Sequence, residues 1–329
     1  KDFAFFFFFS PRNFQSVSIR PKYNLKNLKP IPQDCEDVSL IIQGPICKKD
    51  DFTLNSVKLY NHLFPTAKVI LSTWQNEQES YIELFRKLDC HIVKNKYPET
   101  SGWKNINYQL QTTVAGIQLA KKLGSSYVAK TRTDFRLYSP SSISFLKSLF
   151  KTFPSKDSSS NRIIISDIAT CRHRIYGATD IFHFGKVETI DQYWDPLNWE
   201  KSIENYFDGK KLINGTPLRS EIFLCARYLK QKYGKIPFSL EHWWSCLKND
   251  FIVVDFDDMD AFWYKYDYHL EQRFSRSYLD HPRNIRFADW LSLYNGFIND
   301  FHSLNKDGSR KCETWAYNQK VNKYIRVKI

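Results

Sequence analysis

The chain has 329 residues, 42% hydrophobic and 16% aromatic, with a formal charge of +13. That length and apolar content allow one large domain, or a domain with a second lobe, and exclude a disordered chain. The charge gathers at the ends: residues 1–30 hold six Lys/Arg against one Asp, and residues 306–329 hold seven against two acids, so the body is nearly neutral.

In chain order, residues 1–37 read as a basic lead-in with four prolines. Its run Ala4–Phe9 is too short to span a bilayer and lacks a signal-peptide cleavage pattern. Val38–Ile46 reads as a buried strand stopped by Gly44-Pro45. Thr53 is placed to N-cap a helix through Leu63. Lys68–Trp74 is a second apolar strand, Glu77–Leu88 a helix and Cys90–Val93 a short third strand. After a loop around Ser101-Gly102, Asn105–Leu123 carries apolar residues at 106, 110, 114, 117 and 120, with Gly124 at its C-terminal stop. Tyr127–Thr133 is the fourth strand. Strands alternating with helices predict a parallel sheet, so 38–134 reads as a Rossmann-like half. Beyond it, 154–161 is a Ser/Lys-rich loop, and Arg162–Ser166 and Ile181–Phe184 are strands. Pro217–Gln231 is a helix and Phe251–Phe256 a strand. The chain after Trp243 is mixed and aromatic, and the sequon at Asn214 is a chance match.

The chemistry-bearing residues fall where such a sheet places them. Asp134 ends the fourth strand, at the carboxyl edge where open α/β sheets bind ligands. A carboxylate there suits a divalent cation neutralising a diphosphate; an ion pair with Arg136 or a helix cap is the structural alternative. Arg132 leaves the same face two residues earlier, as a bidentate phosphate partner or a holder of Asp134. Lys130, on that face again, reads as structural or rim-exposed. Gln43, Gly44 and Pro45 close the first strand and suit a base and ribose, with Trp74 at the end of the second. Asn105 and Asn107 open the best helix, where amides suit hydroxyls or phosphates, or serve only as caps. Glu221 and Asp180 are the candidate general bases, with structural ion pairing as the alternative for each. His173, His183 and His242 are scattered singles, and Asp255, Asp257 and Asp258 make either a late metal site or a solvated loop. The absence of GxGxxG and GxxxxGK[ST] argues against dinucleotide and P-loop enzymes.

Seven dispersed cysteines, with no CxxC pair and no zinc spacing, fit reduced thiols in a cytoplasmic protein. The basic ends suit an anionic membrane surface, at roughly 1 kcal/mol per side chain near it, with solvated charge as the plainer alternative. No nucleic-acid motif accompanies them, so no nucleic-acid partner is expected.

Four ordered segments, SLIIQGPI (39–46), FPTAKVILSTW (64–74), NINYQLQTTVAGIQLA (105–120) and YVAKTRTDFRLY (127–138), resemble the WavE family of bacterial lipopolysaccharide-synthesis proteins. YGATDIFHFG (176–185) and LRSEIFLCARYL (218–229) match more loosely. The resemblance implies an α/β, GT-A-like, Rossmann-type fold: a mostly parallel sheet flanked by helices, with an aromatic-rich C-terminal extension. The expected division is a basic arm at 1–37, a glycosyltransferase domain at 38–260 (nucleotide half 38–134, acceptor half 135–260) and a basic aromatic extension at 261–329. The implied activity is transfer from a nucleotide sugar, UDP-sugar foremost, to a glycolipid or polysaccharide acceptor during surface-polysaccharide (LPS or capsule) synthesis. The implied place is the cytoplasmic face of the inner membrane. Glycosyltransferases of this type hold Mn²⁺ or Mg²⁺ through Asp-x-Asp; here that place reads Arg132-Thr133-Asp134, so either Asp134 alone holds a cation with diphosphate and water, or Arg132 does part of the metal's work. A non-catalytic nucleotide- or glycan-binding protein of a membrane assembly is the alternative.

Overall fold

The strand that opens the fold, β1 (Val38–Gln43), is buried along its whole length, as an apolar run must be when both faces of its sheet are covered. A computed structural model describes residues 29–102, 105–155, 161–172, 174–195, 220–237, 239–264 and 284–296, and the backbone of two strands at 313–318 and 323–328. A 3-10 turn at Lys49–Asp51 leads into α1 (Phe52–Leu63), then β2 (Lys68–Trp74), α2 (Glu79–Arg86), β3 (His91–Asn95), α3 (Ile106–Lys122) and β4 (Tyr127–Arg132). The chain continues through β5 (Phe135–Leu137), α4 (Ser142–Thr152), β6 (Ile163–Ser166), β7 (His183–Lys186) and α5 (Val187–Trp194). Next come α6 (Ser220–Tyr233), α7 (Leu240–Asp250), β8 (Phe251–Val254), β9 (Ala261–Trp263) and α8 (Phe287–Tyr294), then a hairpin of β10 (Glu313–Asn318) and β11 (Lys323–Lys328).

Seven strands form one sheet in the order β3-β2-β1-β4-β7-β6-β8. Every pairing in it is parallel except the two made by β7. The α/β class expected from the sequence, a mostly parallel sheet flanked by helices, is therefore the one observed. Because β7 alone runs backwards, the carboxyl ends of β1, β2, β3, β4, β6 and β8 share one edge. Helix α3 lies close against it: a Cβ on Gly116 would stand 2.6 Å from Ile41 Cγ2. β5 leaves the sheet after Asp134 and pairs with β9 instead.

Element positions follow the sequence closely, with local corrections. β1 stops at Gln43 rather than Ile46, because Gly44 turns the chain at φ +116°. The N-cap of α1 is Asp51, not Thr53. The Thr53 hydroxyl instead accepts from Cys47 N (2.9 Å) and donates to Thr133 O (2.8 Å), tying this loop to the end of β4. β7 begins two residues later than expected, at His183. Several sequence-based features lie outside the described residues: the Phe-rich arm through residue 28, His173, the sequon at Asn214, the helix start at 217–219 and much of the aromatic extension.

Candidate active site

The site is built at the carboxyl edge between β1 and β4. Gln43 and Arg132 are register partners at the ends of these parallel strands, and Thr133 N donates to Gln43 O at 3.1 Å. Gly44 lies against Thr133, where a Cβ would come within 3.3 Å of its hydroxyl. Gln43 is only 4% exposed, and its Oε1 accepts from Thr112 Oγ1 at 2.7 Å. Pro45 is exposed beside it.

Arg132 and Asp134 form a two-pronged ion pair, Nε to Oδ1 at 2.8 Å and Nη2 to Oδ2 at 3.0 Å. Their side chains are 20% and 17% exposed. Of the two roles open to Arg132, the geometry shows the holding one, and Asp134 pairs with Arg132 rather than Arg136. Arg136 is buried instead, donating to Ser56 Oγ (2.9 Å) and Phe52 O (2.7 Å), with its guanidinium 4.0 Å from the Phe52 ring. Burial alone would lower the pKa of Arg132; the charge and hydrogen bonds of Asp134, then the charges of Asp180 and Glu221, raise it above the usual arginine value. Three carboxylates from β4's end, the lead-in to β7 and the first turn of α6 thus act on one guanidinium. Trp263 of β9 stands over it at 5.8 Å. Tyr264 ties the floor down, its N donating to Asp134 O (2.6 Å) and its hydroxyl to Asp50 Oδ2 (2.9 Å).

Trp74 is 3% exposed and offers no open face. It stacks on Tyr97 at 4.3 Å and 14°, and Tyr108 meets its edge at 5.5 Å. Tyr97, 46% exposed, is the ring that solvent reaches. Tyr108 and Thr112, one turn apart on α3, connect this stack to Gln43. Asn105 is exposed at the N-cap of α3 in the left-handed region (φ 63°), without a side-chain cap bond. The Asn107 amide is spent on Thr100, donating to its O (3.1 Å) and Oγ1 (3.2 Å). The structure therefore brings Gln43, Gly44, Arg132 and Asp134 to one place, sets Asp180 and Glu221 near enough for their charges to act on Arg132, moves the aromatic contact from Trp74 to Tyr97, and gives Asn107 a loop-holding role.

Among the described residues no group of three or more His, Cys, Asp or Glu side chains is placed to hold a metal ion. Asp134 is the one acid at the Asp-x-Asp place, and both its oxygens already accept from Arg132. Asp255 and Asp257 join Asp167 around Arg286 at 3.2, 3.6 and 3.5 Å, an ion-pair network rather than a metal site. His242 is structural, its Nδ1 2.9 Å from Tyr176 Oη. Tyr97, Tyr108, Thr112, Trp263 and Tyr264 are the positions that sequence patterns missed. Lys130, which the sequence left as structural or rim-exposed, is completely buried inside its strand, so the rim-exposed alternative falls.

The family model for WavE lipopolysaccharide synthesis matches residues 38–316. The chain belongs to this family. No curated protein matches the WavE-family chain by sequence. Among solved structures it is similar to apo mouse xyloside xylosyltransferase 1, at 11% identity and TM-score 0.37, over 66% of this chain and 84% of that one. It is similar to Mycobacterium tuberculosis glucosyl-3-phosphoglycerate synthase in complex with Mn²⁺, UDP and glucosyl-3-phosphoglycerate, at 9% identity and TM-score 0.31, over 54% and 65%. A cytidylyltransferase from Leptospira borgpetersenii aligns at 10% identity and TM-score 0.31, over 48% and 63%. This chain spans less than two thirds of the latter two, and likenesses at these scores carry no argument about activity or ligands. Among the described residues no helix is long and apolar enough to cross a membrane.

Proposed function

We propose that this chain is a glycosyltransferase that moves a sugar from a nucleotide donor, UDP-sugar foremost, to a glycolipid or polysaccharide acceptor in lipopolysaccharide assembly. The observation that carries the reading is Arg132, set at the strand edge among Asp134, Asp180 and Glu221, in a chain of a lipopolysaccharide-synthesis family. Gln43 and the Gly44-Pro45 turn take the nucleoside, and the exposed Tyr97 ring offers its base a stacking surface. Arg132 turns from Asp134 to the diphosphate, which it matches as a two-pronged donor. Glu221, with Asp180 as second candidate, removes the acceptor hydroxyl proton as that oxygen bonds the anomeric carbon and the nucleoside diphosphate departs. Residues 38–260 form the catalytic unit in this reading, and the basic ends meet anionic lipid at the inner face of the membrane.

A divalent cation on Asp134 would supply Lewis-acid neutralisation of the leaving diphosphate, but it would first have to displace Arg132 from both carboxylate oxygens. The phosphate charge is assigned to Arg132. The test is calorimetric titration with UDP, GDP and CDP, with Mn²⁺ and with excess chelator, on wild type and Arg132→Met. Binding of one nucleotide, lost in the variant, supports the donor site. Failure to bind any of them sinks it. Binding without release of nucleoside diphosphate from any sugar nucleotide, with acceptor glycolipid present, would favour a non-catalytic binding role.

A further inference from the structure

Directly beneath Arg132 on β4 is a lysine that the reading above does not use. Lys130 is completely buried, and among the described residues it has no ion-pair partner. Its ammonium stands 4.4 Å over the Trp194 ring, and its one hydrogen bond runs to the main-chain oxygen of Asp180. An ammonium buried without a counter-ion is costly, so a fold keeps one either as a neutral amine or for a purpose.

Its cross-strand partner on β7 is His183, also fully buried. Trp194 Nε1, which can only donate, points to His183 Nδ1 at 2.9 Å. His183 Nε2 therefore carries the ring's proton and donates to Thr179 O at 2.7 Å. Both ring nitrogens are satisfied by the neutral form, and burial followed by the charge of Lys130 pushes the His183 pKa down to about 3. Lys130 and His183 thus grip two successive carbonyls, Asp180 O and Thr179 O, and fix the segment whose carboxylate acts on Arg132.

Resting on the donor reading above, we propose that Lys130 is the positioning residue of Asp180 and takes up a proton when a nucleoside diphosphate binds against Arg132. The charged groups acting on it are Arg132 and Asp134 from the end of β4 and Asp180 from the lead-in to β7, with His183 beside it held neutral. Burial, and more weakly Arg132, pull its pKa from 10.5 to about 7, against the upward pull of Asp180 and Asp134. A diphosphate bound to Arg132 cancels the repulsion from that guanidinium and adds negative charge, so the amine gains a proton from solvent. No bond is made or broken.

The experiment is UDP titration of the full chain at pH 7, 8 and 9, at each pH in two buffers of different ionisation enthalpy, on wild type and Lys130→Met. If bound diphosphate raises the amine's pKa by one pH unit, wild-type affinity falls about fivefold between pH 7 and 9. Proton uptake then peaks near pH 7.5, is equal at pH 7 and 8, and has nearly vanished by pH 9. Lys130→Met, an apolar side chain of similar length, should bind UDP with neither the pH dependence nor the uptake. Equal proton uptake in the two proteins overturns the proposal while leaving the donor site standing. Failure of wild type to bind UDP, GDP and CDP alike overturns the donor reading, and the linkage with it. If the variant does not fold, the wild-type profile decides alone: affinity flat from pH 7 to 9, with no uptake at pH 7 or 8, refutes a titrating Lys130.

Discussion

The Arg132–Asp134 pair allows the site to be separated into its holding and its binding parts. Arg132→Met leaves the Asp134 carboxylate four-fifths buried, without its guanidinium and in a site shared with Asp180 and Glu221. Removing one partner of a buried pair costs about 3–5 kcal/mol, and the partial exposure here places this change near 3 kcal/mol. Asp134→Leu should cost less, about 2 kcal/mol, because Arg132 keeps the charges of Asp180 and Glu221. In the double variant neither charge is orphaned, so its cost should fall short of the sum by about 2 kcal/mol. Urea unfolding followed by tryptophan fluorescence reads all four proteins, and unchanged slopes license the comparison. A coupling below about 0.5 kcal/mol would refute a working ion pair. UDP titration of the same set then assigns the roles. Arg132→Met and the double variant should lose binding, whereas Asp134→Leu, with its guanidinium released, should keep it. Equal loss in both single variants would place Asp134 itself on the donor.

Three further outcomes follow from the geometry. Gly116→Ala gains roughly 1 kcal/mol of helix propensity but drives a Cβ to 2.6 Å from Ile41 Cγ2, where overpacking costs about 1–3 kcal/mol; thermal unfolding should show net destabilisation, and a rise in Tm would refute the close α3–β1 approach. Tyr97→Ala should weaken UDP binding about tenfold, since stacking on one base contributes about 1–3 kcal/mol; Trp74→Phe, one ring removed from solvent, should cost stability more than affinity, and the reverse ranking would refute the assignment. Lys130 has a folded pKa below its unfolded value, so between about pH 7 and 10 the unfolded chain binds the extra proton and stability from this group rises with pH. The gap from 10.5 to about 7 is worth at most roughly 5 kcal/mol. Lys130→Met should therefore stabilise most near pH 7 and flatten that rise, and parallel pH profiles for the two proteins would refute it.

What the sequence made legible is what local period encodes. The bounds of β2 were exact because an apolar run ends on Trp74 between polar flanks. Gly124 marked the end of α3 through its left-handed backbone, at φ +71°. Asp134 was placed at the strand edge, and on one face with Arg132, by alternation alone. The rest depends on partners far apart in the chain, which no window of residues displays. Nothing around His183 signals that β7 runs antiparallel between β4 and β6, and it is that insertion which lays His183 beside Lys130. Trp263 and Tyr264 reach the site only because β9 pairs with β5, more than a hundred residues away. Tyr97 sits in a loop whose fold is set by Asn107 and Thr100, and its stacking partner Trp74 belongs to another strand.

The charge arrangement explains why Lys130 and the cation question belong together. Among the described residues at the edge, one guanidinium meets the carboxylates of Asp134, Asp180 and Glu221, so with Lys130 neutral the group carries a net −2. A sugar nucleotide brings two more negative phosphates. At an effective dielectric near 20, two like charges 4 Å apart repel by about 4 kcal/mol, more than a single hydrogen bond to Arg132 returns. Positive charge gained on binding would therefore favour a donor at this edge without being a condition for it. A proton on Lys130 supplies one unit from within the fold, without disturbing the Arg132–Asp134 geometry until the diphosphate arrives. A cation would supply two, at the cost of opening that pair. The two sources separate experimentally: a pH-dependent UDP affinity that survives excess chelator assigns the counter-charge to Lys130. Affinity that chelator abolishes, and that Asp134→Leu abolishes with it, assigns it to a cation on Asp134.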